Sequence, residues 1–232
     1  MPSTWPLVVI GALGAGLLLW KLTTRRGRTR NLRAVRERLG FQPCLDETSW
    51  LEQTIAGIEN NQGFRYEVRE PQRWSTEPPV YTYEKVRYPP ARSDVEPATE
   101  QEILFPLRRP PAGAIAVTVK PSSLAVGAVT RMIGAVASGP WDSRPDDLHP
   151  LELPVDLQGT NLVGALGPPG ARFHDLVGAN MTSVMQSLGD AGGIFVRARN
   201  GWCIVAGNNS QIPFRLDEIL ARIRPLLGSG QI

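Results

Sequence analysis

The longest unbroken apolar run in the chain lies at its start. Residues 5–22 carry no acidic side chain and one basic one, Lys21, at the very end. About 20 apolar residues at about 1.5 Å rise cross a hydrocarbon core of about 30 Å, so the run predicts a short transmembrane helix. Trp5 and Trp20 stand at its two ends, where indole rings favour the boundary between lipid headgroups and tails. Within it, Gly11 with Ala15 and Ala12 with Gly16 place small residues four apart, the spacing that lets a second membrane helix approach closely. Gly and Ala are also frequent in membrane helices generally, so these four residues stand as a candidate packing face.

Behind the run the pattern changes to short periodic segments. Ser49-Trp50-Leu51-Glu52 has the form of a capping box, and Leu51, Thr54, Ile55 and Ile58 keep helical spacing up to Gly63. Phe64–Val68 and Val80–Val86 alternate apolar or aromatic with polar side chains, as strands with one solvated face do. A loop rich in Pro and acid, residues 88–102, leads to apolar runs at 103–107 and 114–119, with a turn at 108–113. Ser122 opens a predicted helix along Ala125, Ala128, Val129, Met132, Ile133 and Val136, stopped by Gly139-Pro140. Residues 141–150 form a polar, proline-bearing connector, a candidate for an exposed contact loop or for a boundary near 139–150 between two lobes, with a single domain as the other reading.

In the second half, 151–157 reads as a strand and 161–170 as a strand plus loop. Phe173, Leu176, Val177, Met181, Val184, Met185 and Leu188 form one stripe and predict a single helix over 171–188. Asn200-Gly201 between 194–199 and 202–206 is a strong hairpin cue. Leu216, Ile219, Leu220 and Ile223 close the chain on a helix, with Asp217 and Glu218 at its positive end. Strands grouped in runs, with about four helices between them, predict an α+β fold of mainly antiparallel strands over residues 41–232.

The charge is divided unevenly. The chain is +3 overall with a pI near 9.1. Residues 21–38 hold Lys21, Arg25, Arg26, Arg28, Arg30, Arg33, Arg36 and Arg38 against Glu37 alone, which is +7, and the remaining 17 basic and 21 acidic side chains leave residues 39–232 at −4. A nucleic-acid partner is therefore not expected: the basic character belongs to the segment beside the span, which suits anionic lipid headgroups. Leu32, Val35 and Leu39 keep helical spacing within it, so an amphipathic helix on a membrane face is one reading and a solvated connector the other. Residues 1–4 carry no Lys or Arg, unlike the start of a cleaved signal peptide. The positive-inside bias places those residues outside and everything after the span in the cytoplasm, with Lys21, Arg25, Arg26, Arg28 and Arg30 contacting lipid.

Candidate chemistry is sparse. Gly164-Ala-Leu-Gly167-Pro-Pro-Gly170 precedes the best helix, but it lacks the Lys-Ser/Thr of a phosphate-binding loop, and its two prolines remove backbone donors. A rigid turn explains it better than a nucleotide site. His149 follows Asp146 and Asp147 and His174 precedes Asp175, yet no cluster has metal-ligand spacing and no nucleophile stands beside either. Cys44 and Cys203 are too few for a disulfide framework and read as buried apolar side chains. Phe41, Phe64, Tyr66, Trp74, Tyr81 and Tyr83 fit a half-buried sheet, and the Trp74–Tyr83 stretch equally suits an anchor in a protein interface.

Together these features predict a non-catalytic, single-pass accessory subunit of a larger membrane complex, such as a bacterial respiratory or photosynthetic assembly. It would have no cofactor, sit in the inner membrane, meet other transmembrane subunits through its small-residue face and brace the cytoplasmic side with its α+β domain. The alternative is a membrane-tethered enzyme or ligand sensor with a pocket near Gly164–His174.

Overall fold

A computed structural model of the chain describes residues 32–90, 97–120, 145–192, 195–207 and 214–227. The expected span, with Gly11, Ala12, Ala15, Gly16, Trp5, Trp20, Lys21, Arg25, Arg26, Arg28 and Arg30, lies outside the described residues, as does the helix expected after Ser122. Among the described residues no helix is long and apolar enough to cross a membrane. The chain divides into two compact units, Met1–Leu39 and Gly40–Ile232. In the first, residues 32–38 form helix α1, matching the spacing of Leu32, Val35 and Leu39.

The second unit is α+β. Its strands are β1 (Phe41–Pro43), β2 (Arg65–Trp74), β3 (Val80–Tyr88), β4 (Ala98–Pro106), β5 (Ile115–Val119), β6 (His149–Leu151), β7 (Leu162–Gly167), β8 (Phe195–Arg199) and β9 (Trp202–Gly207). They form one nine-stranded sheet in the order β1-β2-β3-β4-β9-β8-β5-β7-β6. Every neighbouring pair is antiparallel. Strands from both sides of residues 139–150 share this sheet, so that segment does not interrupt it. Helices α2 (Thr48–Glu59), α3 (Phe173–Leu176), α4 (Ala179–Leu188) and α5 (Leu216–Ile223) complete the described elements.

Helix α2 buries Leu51, Ile55 and Ile58 against one face of the sheet, where they join Tyr66, Val68, Tyr81, Tyr83, Leu104, Phe195, Ile204 and Ala206. The capping box is not made. Thr48 Oγ1 donates to the Leu45 carbonyl at 2.8 Å, and the Glu52 carboxylate accepts from the Val68 N–H at 3.1 Å, tying the helix to β2 instead. The helix ends before Gly63, at Asn60, whose φ of 42° and ψ of 48° are left-handed and whose N–H reaches the Ala56 carbonyl. Asn tolerates that conformation better than most residues, because its short amide can bond locally.

Three further expectations are corrected. The predicted helix over 171–188 breaks at Val177-Gly178, where both residues are extended. Glycine inside a helix costs about 1 kcal/mol relative to alanine, and the extended step still buries Val177 with the rest of the stripe. Residues 151–157 are not one strand: β6 stops at Leu151, and Pro154, which has no N–H for a ladder, leads into a 3₁₀ turn at Val155–Leu157. Strand β3 has no solvated face, since Val80–Val86 is buried on both sides apart from a partly exposed Glu84. By contrast Asn200 (φ 53°) and Gly201 (φ 81°) make the two-residue hairpin that their sequence predicts.

Gly207 shows how tightly the far end of β9 is packed. A Cβ there would lie 2.7 Å from the Gly192 carbonyl oxygen and run into the Phe214 ring. The Gly207→Ala variant is therefore expected to lose about 1–3 kcal/mol, read as a lower urea midpoint at unchanged slope.

Candidate functional site

The chemistry that the fold concentrates is a buried ionic cluster beneath α2, and it was not foreseen from the sequence. Alternation along β3 puts Tyr81, Tyr83, Lys85 and Arg87 on the face that α2 covers, and the register pairs Lys85 with Glu100 and Tyr83 with Glu102 of β4. Glu59, one turn beyond Ile55 on the buried stripe of α2, descends onto the same place. Arg197 of β8 comes in from the other side.

Lys85 Nζ lies 2.5 Å from Glu59 Oε1, 2.5 Å from Glu102 Oε1 and 3.1 Å from Glu100 Oε2. The Arg197 guanidinium meets Glu59 Oε1 as well. Side-chain exposure is 1% for Lys85 and 0% for both Glu59 and Glu102, so a substrate has no access to these groups. Lys85 also sits 5.6 Å from the Tyr66 ring centroid, a cation–π distance. The match is close but incomplete: Glu59 Oε2, Glu102 Oε2 and the Tyr66 hydroxyl are buried without a hydrogen-bond partner.

Burial and charge divide the carboxylates. Glu102 is pushed up to about 7, first by burial and then by the neighbouring Glu100 and Glu59, against the pull of Lys85. Burial also acts to raise Glu100, but Lys85, Arg197 and Arg87 outweigh it and hold that carboxyl down to about 2. Lys85 is held protonated: burial favours the neutral amine, and Glu102, Glu59 and Glu100 more than reverse it. Tyr83 is pushed well above its ordinary value by burial and by Glu102. The cluster's ion pairs thus clamp α2 to β3, β4 and β8. Perturbed titrations of this kind occur at reactive sites and in structural ion-pair networks alike, and the lack of substrate access favours the second role here.

A second polar tie lies just beyond Glu59, at the same C-terminal end of α2. Asp147 Oδ1 accepts from Asn60 Nδ2 at 2.8 Å and from Arg199 Nη2 at 2.6 Å, and Asp146 Oδ2 accepts from the Gln62 N–H at 3.3 Å. These acids brace the segment leading into β6, with exposed His149 beyond them. Among the described residues no group of His, Cys, Asp or Glu could hold a metal ion.

Gly164 and Gly167 lie inside β7, whose ladder bonds go to β5 on one side and β6 on the other, so only residues 168–170 form a turn. His174 is exposed, with Nε2 at 3.7 Å from Asp156 Oδ1. Cys44 and Cys203 are both free and buried, and burial, with Glu47 and Asp46 adding, pushes the Cys44 thiol up to about 11.

The signals for the ionic cluster were present but ambiguous. Lys85 keeps step with Tyr81 and Tyr83, Glu59 falls on the Leu51-Ile55-Ile58 stripe, and Glu102 abuts the apolar run 103–107. A charged residue in such a position reads as solvated unless its partners are known. Compared with known protein families, with curated proteins and with solved structures, the chain matches none.

Proposed function

We propose that this chain is a membrane-tethered, non-catalytic accessory subunit: residues 5–22 anchor it, and the α+β unit braces the cytoplasmic face of a larger membrane assembly. The observation that carries the reading is the apolar run with its flanking +7 segment, set before a separate unit of opposite net charge. The ionic cluster supports it from the other direction, because the most strongly perturbed groups are used to hold α2 rather than being turned toward a ligand. On this reading Gly11, Ala12, Ala15 and Gly16 face another membrane helix, Trp5 and Trp20 sit at the two headgroup boundaries, and Lys21, Arg25, Arg26, Arg28 and Arg30 meet anionic lipid. The N-terminus lies outside the cell membrane.

The test is topological. Membranes bearing the full chain are washed with alkaline carbonate, and sealed inside-out and right-side-out vesicles are treated with protease. The chain should stay in the pellet and lose its α+β unit to protease only in inside-out vesicles. Release by carbonate, or digestion in right-side-out vesicles, would refute the anchor or its orientation respectively.

A further inference from the structure

Helix α2 is joined to the sheet by side chains. Its apolar stripe, Leu51, Ile55 and Ile58, is the helical part of the core it covers among the described residues. Its polar ties there are the Glu52 carboxylate on the Val68 N–H and the Glu59 carboxylate on Lys85 and Arg197. The strands around the cluster are held differently: β3, β4, β8 and β9 each have a neighbouring strand on both sides. The helix can therefore leave the sheet without breaking a ladder, whereas none of these strands can. Elements held in that way open at a lower free energy than the whole fold.

Lifting α2 lets water into the ionic cluster, and the carboxylates differ in what water does to them. One ammonium, Lys85, serves three of them. Glu59 has the Arg197 guanidinium as well, and Glu100 retains 13% exposure. Glu102 has neither: among the described residues Lys85 is the one cation within ion-pair distance, and its side chain is 0% exposed. The other charged and titratable groups around it are Glu59 of α2, Tyr66 of β2, Tyr83 and Arg87 of β3, Glu100 of β4 and Arg197 of β8. Its partner on β9 is apolar Ala206. A wholly buried carboxylate that shares its one counter-charge with two others is the member that the fold most favours in the neutral form. Burial and then the neighbouring acids accordingly push Glu102 up to about 7.

We propose that α2 is a proton-operated latch: protonation of Glu102 closes the helix on the sheet, and ionisation lets it lift from the strands as a local opening. The linkage works through water. In the closed form Glu102 is dry and keeps a proton; once α2 lifts, the carboxyl is solvated and releases it at ordinary acidity. Opening therefore becomes more frequent as pH rises through the range in which the open carboxyl is ionised and the closed one is not. With Glu102 ionised in place, its charge competes with Glu59 for the Lys85 ammonium, and Glu59 is the competitor that the helix carries. The opening uncovers Leu51, Ile55 and Ile58 on the helix and Tyr66, Val68 and Leu104 on the sheet. Unfolding of the whole chain exposes Glu102 too, so the latch is distinguished by α2 opening more readily than the strands while carrying the same proton linkage.

Amide hydrogen exchange on the full chain in detergent, corrected for the intrinsic base-catalysed rate, reads this element by element. Amides of 52–59 should be at least about tenfold less protected than those of 103–105 in β4 and 203–206 in β9. Their protection should fall by up to about tenfold for each pH unit between 5 and 7, the limit for release of one proton. In Glu102→Gln, which has no proton to release at this position, that slope should vanish while the gap between helix and strands remains. Equal protection in α2 and the strands, an α2 protection that ignores pH, or a slope that survives in Glu102→Gln overturns the inference. Should that variant fail to fold, infrared spectra of the unaltered chain in D2O decide the same point. A protonated-carboxyl band present at pH 6 and gone by pH 8 supports the latch, and no such band at pH 6 overturns it.

Discussion

Replacing Lys85 with Met is expected to cost the protein about 3–5 kcal/mol, a large share of the stability of any domain of this size. The substitution keeps the length and apolar stem of the side chain and removes only the ammonium that Glu59, Glu100 and Glu102 surround. Two of those carboxylates are wholly buried, and Arg197 alone would remain in contact with Glu59. Leaving a buried charge without its partner is far more costly than the net worth of the ion pair, because neither water nor another donor can reach it. The measurement is urea unfolding of the detergent-solubilised full chain at pH 7. Combining Lys85→Met with Glu102→Gln should recover part of the loss, since it lowers the number of stranded carboxylates, and the two changes should be strongly non-additive. A loss below about 1 kcal/mol for Lys85→Met would mean that the cluster is solvated and does not clamp α2.

The second large effect is on pH dependence. In the unfolded chain Glu102 titrates near the ordinary 4.5, whereas in the fold burial and its acidic neighbours keep it protonated up to about 7. Between those values folding takes up a proton, so stability is highest at the acidic side of the interval and falls as pH rises through it. Glu100 acts in the opposite direction at lower pH. Its fold-imposed value of about 2 means that its contribution is complete above 4.5 and is lost on acidification toward 2. The two together predict a stability maximum near pH 5, with decline on both sides. Glu102→Gln removes the upper limb: it should be close to neutral at pH 5 and stabilising by about 1–3 kcal/mol at pH 8. Denaturation midpoints of both proteins across pH 4–9 read this directly. An unchanged slope between pH 5 and 8 in the variant would assign the titration to another group.

Legibility in the sequence followed the range of the interaction that decides each element. The β8–β9 hairpin depends on two adjacent residues with positive φ, and Asn200-Gly201 announces them locally. Helix α5 depends on a stripe of four apolar residues within eight, with Asp217 and Glu218 at its start, and it too was local. The break between α3 and α4 was hidden because Val177 continues the helical stripe while being buried from an extended backbone. The placement of β9 beside β4 and of β5 between β8 and β7 was not accessible, since nothing in a single strand specifies a neighbour a hundred residues away. The ionic cluster was invisible for the same reason: Lys85, Glu59, Glu102 and Arg197 are each unremarkable alone, and only the sheet register together with α2 converts four apparently solvated charges into one buried group.

That division bears on function. The features that suggest a role are local ones at the start of the chain, while the long-range features describe how a stable α+β unit is held together. The ionic clamp ties α2 to β3, β4 and β8.

The most direct test of the account is the assembly state of the full chain extracted from its native membranes in a mild detergent. The account predicts that it migrates on a native gel as a discrete species well above its own 25.4 kDa, and that substituting Gly11 and Gly16 with Leu shifts it to the free chain without unfolding the α+β unit. Migration of the unmodified protein as a lone chain, unaffected by those substitutions, would contradict it.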